Sequence, residues 1–102
     1  EVRFLGMLAE LYQANNLTEK SIAFYNDILE IDPKNSAANV ALAEHYRANN
    51  NHLKALDYLT FCFDNDVFDL KTVFQILTSY FQMAIEEQKY LDLAFFTKQN
   101  FN

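Results

Sequence analysis

Glycine, proline and cysteine are almost absent from this chain of 102 residues, which contains one of each. A β-rich fold of this size would need many tight turns, and tight turns favour glycine, proline or asparagine–glycine pairs. The shortage therefore favours long helices joined by a few short turns. The single cysteine, Cys62, cannot form an internal disulfide, and its position between Phe61 and Phe63 predicts a buried, structural side chain.

Positive charge is also scarce, because 8 Lys and Arg residues stand against 14 Asp and Glu residues and give a net charge of −6. Nucleic-acid binding normally depends on a basic patch, and none is visible, so we predict no nucleic-acid partner. An acidic surface favours a neutral or basic partner.

Long apolar runs are missing too. None reaches the roughly 20 residues that cross a bilayer as a helix, so we predict no membrane span in this segment.

Side chains suited to catalysis or metal binding are few and poorly placed. His45 and His52 are the only histidines, and they lie on either side of the asparagine-rich stretch 49–51. They are not expected to converge with Cys62 as the three or four ligands that zinc requires. Gly6 stands alone, so no glycine-rich phosphate loop is present. We therefore predict no enzymatic activity, no metal and no cofactor.

The sequence does contain a nine-residue block that occurs twice, 34 residues apart. The copies span residues 8–16 and 42–50 and differ only at their fourth and sixth positions. Repeats of this period are typical of stacked helical hairpins, each of which needs a neighbour to bury its apolar face. We therefore predict an all-α fold built from helical hairpins.

Apolar residues at three- and four-residue spacing predict six helices. The expected ranges are about 2–14, 19–31, 36–48, 52–63, 70–85 and 89–99. Asparagines at 15–16 and 49–51 are expected to end the first and third helices, because asparagine tolerates the left-handed conformation. The predicted N-caps are Thr18, Asn35 or Ser36, and Asp69.

Three helix pairs at a 34-residue period resemble the tetratricopeptide repeat. The matching positions of the first repeat are Leu5, Leu8, Ala9, Tyr12, Ser21, Tyr25, Ile28 and Pro33. Those of the second repeat are Leu42, Ala43, Tyr46, Ala55, Leu59 and Cys62, with Val67 in place of the proline. The third repeat keeps Ile76 and Tyr80 but has Leu77 and Lys89 at small-residue positions. We therefore expect its second helix to begin late, with Ala94 at the helix crossing.

The resemblance implies an α-solenoid of three antiparallel hairpins in a right-handed superhelix. The repeats would span about 2–35, 36–69 and 70–102 in a single domain, and we expect the chain to be a piece of a longer protein. Small residues are expected where paired helices cross, namely Ala9, Ser21, Ala43 and Ala55. Tyr12 and Tyr46 are expected to fill the space between successive hairpins.

The resemblance also implies a function, because the first helix of each hairpin in this family lines a concave groove that binds peptides or protein segments. The residues of this chain at those positions are Arg3, Glu10, Gln13, Val40, Glu44, Arg47, Lys71, Phe74, Thr78 and Phe81. We predict a protein-interaction scaffold or adaptor that binds another protein or peptide. The alternatives are a structural spacer or oligomerisation segment without a ligand, and an ordinary solvated face at the charged positions.

Two further expectations concern a ligand known for this family and the C-terminal end of the predicted solenoid. Some members of the family clamp the C-terminal carboxylate of chaperones, but Glu10 would repel that anion, so we exclude this partner. At the other end, Phe95, Phe96 and Phe101 leave an apolar face without a polar capping helix. Another repeat, another domain or a second copy of the chain could cover this face, and the repeat pattern favours further repeats.

Overall fold

The computed structural model describes the backbone of residues 1–101 and the side chains of residues 1–99. Over that range the chain is all-helical, with no strand. The helices are Val2–Ala14 (α1), Thr18–Ile31 (α2), Ser36–Ala48 (α3), His52–Asp64 (α4) and Leu70–Phe101 (α5). The all-α prediction is confirmed, and the first four predicted helices agree closely with α1–α4. The expectation for the side chain of Phe101 lies outside the described residues.

The chain divides into two compact units, the first ending at Val67 and the second beginning at Phe68. In the first unit α1 packs on α2 and α3 packs on α4, so each pair forms a helical hairpin. Packing of α2 against α3 joins the two hairpins. The second unit contains α5. The assignment of the whole chain to a single domain stays a prediction.

Each hairpin of the first unit turns through an asparagine in the left-handed conformation. Asn16 has a φ of 62° and Asn50 a φ of 61°. The backbone N–H of Leu17 donates to the carbonyl of Tyr12 at 2.8 Å, and the equivalent bond 34 residues later has the same length. These bonds are typical of the Schellman motif, which satisfies carbonyl groups at a helix end. The predicted asparagine breaks are therefore confirmed.

Side chains cap the starts of α3 and α5 as predicted. Asn35 and Asp69 each accept a hydrogen bond from the backbone N–H three residues later, at 2.9 and 2.8 Å. Hydrogen bonds from the Thr72 side chain and backbone hold the pKa of Asp69 below its usual range. The predicted cap at Thr18 is wrong, because Leu17 occupies the N-cap position and makes no side-chain bond there. The turn already holds Leu17 against the end of α1, so α2 begins directly after it.

Small residues lie at the predicted helix crossings. Ala9 is fully buried, and the buried hydroxyl of Ser21 donates to the Ala9 carbonyl at 2.9 Å. This contact brings the backbone of α1 close to α2. In the second hairpin Ala43 and Ala55 are buried in the same way. The predicted burial of small residues in both hairpins is confirmed.

The core of the first unit joins its two hairpins. Its buried cluster consists of Ala9, Tyr25, Ile28, Ala38 and Leu42. The cluster combines side chains from α1, α2 and α3, so neither hairpin buries its apolar face alone. Cys62 on α4 is also fully buried, and burial raises the pKa of its thiol. The predicted burial of this cysteine is confirmed.

Tyr12 and Tyr46 take part in stacks that the sequence pattern did not predict. The ring of Tyr12 stacks on Phe24 with centroids 5.4 Å apart, and the Lys20 ammonium lies 5.6 Å from the same ring. The trio recurs 34 residues later, where Tyr46 stacks on an aromatic ring at 5.7 Å and a lysine lies 4.6 Å away. These stacks lie within each hairpin, whereas a position between hairpins was expected. Tyr46 also packs against the core cluster.

The third predicted hairpin is absent, because α5 is one continuous helix of 32 residues. The predicted break before Lys89 and the crossing at Ala94 are therefore wrong. The reason lies in the turn position: the residue 34 positions after Asn50 is Ala84. Alanine is the strongest helix former and is strained in the left-handed conformation. Without a residue that accepts the turn, the helix continues.

The left-handed turn gives a direct stability test at Asn50. We expect Asn50→Ala to lower the free energy of unfolding by about 1 kcal/mol, because a Cβ without a local hydrogen-bonding group is strained at positive φ. Asn50→Gly is the matched control and should keep or raise the stability. Urea unfolding followed by circular dichroism measures both variants. Equal stability of the alanine and glycine variants would contradict this account of the turn.

Gly6 gives a second test, because it lies inside α1 and a Cβ built there meets nothing within 4 Å. We expect Gly6→Ala to raise the free energy of unfolding by about 0.5–1 kcal/mol, since glycine loses more backbone entropy in a helix than alanine does. Thermal and urea unfolding check this value. A destabilised Gly6→Ala variant would show that the space beside Gly6 is filled in solution.

Candidate functional site

An open groove of about 880 Å³ lies on the first unit. Four residues predicted for a binding groove line it, namely Glu10, Gln13, Val40 and Glu44. The predicted Arg3 and Arg47 belong to the same unit and are exposed, but they do not line this groove. The remaining predicted residues, Lys71, Phe74, Thr78 and Phe81, are exposed on α5 in the second unit. A set of ten groove residues in one place therefore stays a prediction.

One face of α3 forms the longest wall of the groove. Ala37, Ala41, Glu44 and Ala48 recur at four- and three-residue intervals, which places them on the same side of a helix. Alanine side chains leave the space open, so small volume rather than charge defines this wall. Of the predicted residues on this helix, Val40 and Glu44 line the groove and Arg47 does not. The alanines were not predicted to line it, although their spacing was visible in the sequence.

The second helix also lines the groove, which the sequence pattern did not predict. Thr18, Ile22 and Tyr25 of α2 contribute to its surface. Tyr25 belongs to the buried core and is only 6% exposed. Burial, and secondarily the negative charge of Glu10, raise the pKa of the Tyr25 phenol. The phenol therefore stays protonated near the Glu10 carboxylate.

The charged wall of the groove is set by Glu10 and Glu44, and the described residues that line it include no Lys or Arg. Arg47 lies beside the groove and binds Glu44 through two hydrogen bonds, Nη2 to Oε1 at 2.8 Å and Nε to Oε2 at 3.1 Å. These bonds hold the pKa of Glu44 below its usual range. Arg47 therefore offsets the charge of Glu44 but not that of Glu10.

The lining of the groove includes hydroxyl, amide and imidazole groups. The Ser21 hydroxyl donates to a backbone carbonyl, so a peptide carbonyl and not a base holds its proton. His45 lies at the groove with its ring edge-on to Tyr46, 5.0 Å between centroids. Among the described residues, no group of three or more His, Cys, Asp or Glu side chains is placed to hold a metal ion.

None of the described helices is both long enough and apolar enough to cross a membrane.

Comparison with protein-family models, with curated proteins and with solved structures found no match to this chain. The tetratricopeptide resemblance therefore rests on the residues and spacings of the chain itself.

The ion pair beside the groove gives a test of its electrostatics. We expect Arg47→Met to raise the pKa of Glu44, because both hydrogen bonds to its carboxylate are lost. Carboxyl chemical shifts followed by NMR through a pH titration measure the change, with Arg3→Met as the control. An unchanged Glu44 pKa in Arg47→Met would show that the pair does not form in solution.

The same pair predicts a small pH dependence of stability. The folded pKa of Glu44 is lowered, so the stabilisation is present above the unfolded pKa and is lost as pH falls through the folded pKa. Both side chains are more than half exposed, so the effect should be about 0.5 kcal/mol or less.

Proposed function

We propose that residues 1–67 form a tetratricopeptide-type unit that binds a peptide or protein segment in the groove lined by α1, α2 and α3. The observation that carries the proposal is the open groove itself, which retains four of the predicted binding residues. The 34-residue period supports it, because the period recurs in the sequence block, in the left-handed turns and in the aromatic stacks. The protein would act as a scaffold or adaptor.

The lining of the groove suits an extended peptide. Ile22, Val40 and the alanines of α3 provide apolar surface for side chains of the ligand. Gln13 and Asn49 add amide groups at the edges, and these can pair with a peptide backbone. A mostly apolar surface with a few polar groups is the usual composition of a ligand site. The groove therefore supports recognition of short apolar segments.

The charges of the groove further restrict the class of ligand. Among the described lining residues Glu10 and Glu44 carry the charge, and Arg47 offsets Glu44. A ligand with Lys or Arg beside its apolar residues would therefore place the cation near Glu10. The net charge of −6 would also favour encounter with a basic segment. Two hairpins give a small contact area, so we expect modest affinity.

Filling the groove tests the proposal. A library of random 12-residue peptides displayed on phage would be selected on the full chain, and selected peptides would be measured by fluorescence anisotropy. We expect Ala37→Trp to weaken binding at least tenfold, because the indole occupies the groove. Ala23→Trp is the matched control, since Ala23 is exposed on α2 and does not line the groove. Failure to select any peptide that Ala37→Trp weakens would refute the proposal.

Reversing the groove charge tests the ligand class. We expect Glu10→Lys to weaken the binding of a selected Lys- or Arg-containing peptide about tenfold, because attraction is replaced by repulsion. Glu19→Lys makes the same charge change at an exposed residue outside the groove and should have a much smaller effect. Titrations at two salt concentrations separate local from long-range effects. Equal effects of both variants would show that net charge alone attracts the peptide.

A further inference from the structure

A regular apolar seam runs along the exposed surface of α5. Its members alternate at intervals of four and three residues, and the α5 seam consists of Leu70, Phe74, Leu77, Phe81, Ala84, Gln88, Leu91 and Phe95. Its first four members are 87%, 71%, 50% and 66% exposed, and Leu91 and Phe95 are 51% and 66% exposed. No residue of α5 with a described side chain is fully buried. These large apolar side chains follow one line of the helix, and Ile85, Tyr90, Leu93 and Phe96 are also exposed beside that line.

The spacing of the seam is that of a coiled coil. An average interval of 3.5 residues keeps apolar side chains facing a partner helix when two helices wind around each other. The seam keeps this interval over residues 70–95, which is nearly four heptads. The seam therefore favours a single helix as its cover.

We propose that the α5 seam pairs with the same seam of a second copy of this chain, as an antiparallel two-helix coiled coil. In a two-fold register, each seam residue meets a seam residue of the other chain. The facing pairs are Leu70 with Phe95, Phe74 with Leu91, Leu77 with Gln88, and Phe81 with Ala84. The smallest seam residue thus faces a phenylalanine at the centre of the pairing.

The antiparallel direction follows from side-chain volume. In a parallel pair each seam residue would face itself, so Ala84 would face Ala84 and leave a gap, while Phe81 would crowd Phe81. Gaps and overcrowding both destabilise a packed interface. The antiparallel register combines large with small at these positions, as a filled core requires. Gln88 already donates to Asp92 at 2.9 Å, so its amide is partly satisfied beside Leu77 of the second copy.

Charge also permits a second copy as the partner. The helix carries three lysines and three acidic residues, so α5 is neutral although the chain has a net charge of −6. In the antiparallel register Lys71 flanks the seam next to Asp92 of the second copy, which gives an attractive pair on each side of the two-fold axis. Like charges do not meet at the seam.

The exposed area is of the size that a dimer needs. Each of the six large seam side chains would bury roughly 100 Å², given their exposure and the 150–250 Å² of a whole aromatic side chain. The seam would therefore bury roughly 600 Å² per chain before its flanking residues are counted, against about 800 Å² per partner in a stable interface. The chain cannot cover the seam by folding α5 back, because Ala84 provides no turn.

Two leucines of α5 provide a matched test. Leu91 lies in the seam and Leu93 lies on the far side of the helix, and they are 51% and 64% exposed. Sedimentation equilibrium of the full chain should show a dimer. We expect Leu91→Asp to weaken dimerisation at least tenfold, whereas Leu93→Asp leaves it unchanged. A monomer at 100 μM, or equal effects of the two variants, would overturn the proposal; circular dichroism confirms that both variants keep their helix.

Cross-linking tests the direction of the pair. A Leu70→Cys chain would be mixed with a Phe95→Cys chain and treated with a short thiol-reactive cross-linker. The antiparallel register predicts a mixed cross-linked dimer and little product from either variant alone. Cys62 is fully buried and should not react. Efficient cross-linking of Leu70→Cys to itself would indicate a parallel pair, and larger assemblies would indicate a different partner surface; either result overturns the antiparallel dimer.

Discussion

The left-handed asparagine turn is the constraint on which the arrangement of this chain depends. Asn16 and Asn50 take a positive φ that most residues adopt only at a cost, and at each of them the chain reverses into a hairpin. At the next position of the same period stands Ala84, and there the helix continues without interruption. At this 34-residue period the left-handed turn occurs at Asn16 and Asn50 but not at Ala84, and this distinguishes the unit of paired helices from the unit with one long helix.

Reversal of the chain has consequences for packing. Two helices joined by so short a turn must approach closely, and this explains Ala9 against Ser21 and the alanines of the second hairpin. Small residues on another face of α3 have the opposite effect, because Ala37 and Ala41 line the open groove of the first unit. Alanine therefore allows close packing where another helix crosses it and lines an open groove on another face of α3.

The sequence predicted the paired helices because periodicity and asparagine turns are local signals, and both act within one hairpin. The continuity of α5 was missed because the polar stretch 86–89 was interpreted as a break. Charged side chains do not end a helix; a residue that accepts the turn conformation does, and none stands there. Only some of the residues that line the groove were predicted. Glu10 and Glu44 follow from position within the repeat, whereas Tyr25 and the alanine wall depend on which side-chain volumes are missing once α2 and α3 have packed.

The groove and the α5 seam would bind their partners through different forces. The described lining of the groove has carboxylates and no Lys or Arg, so the proposed attraction to a basic peptide would be electrostatic in part and would weaken as salt screens it. The seam belongs to a helix without net charge and presents leucine and phenylalanine, so its pairing depends on apolar burial. Added salt should therefore weaken peptide binding while leaving self-association largely unchanged. If one ligand had to bind both surfaces at once, added salt would weaken peptide binding and self-association together.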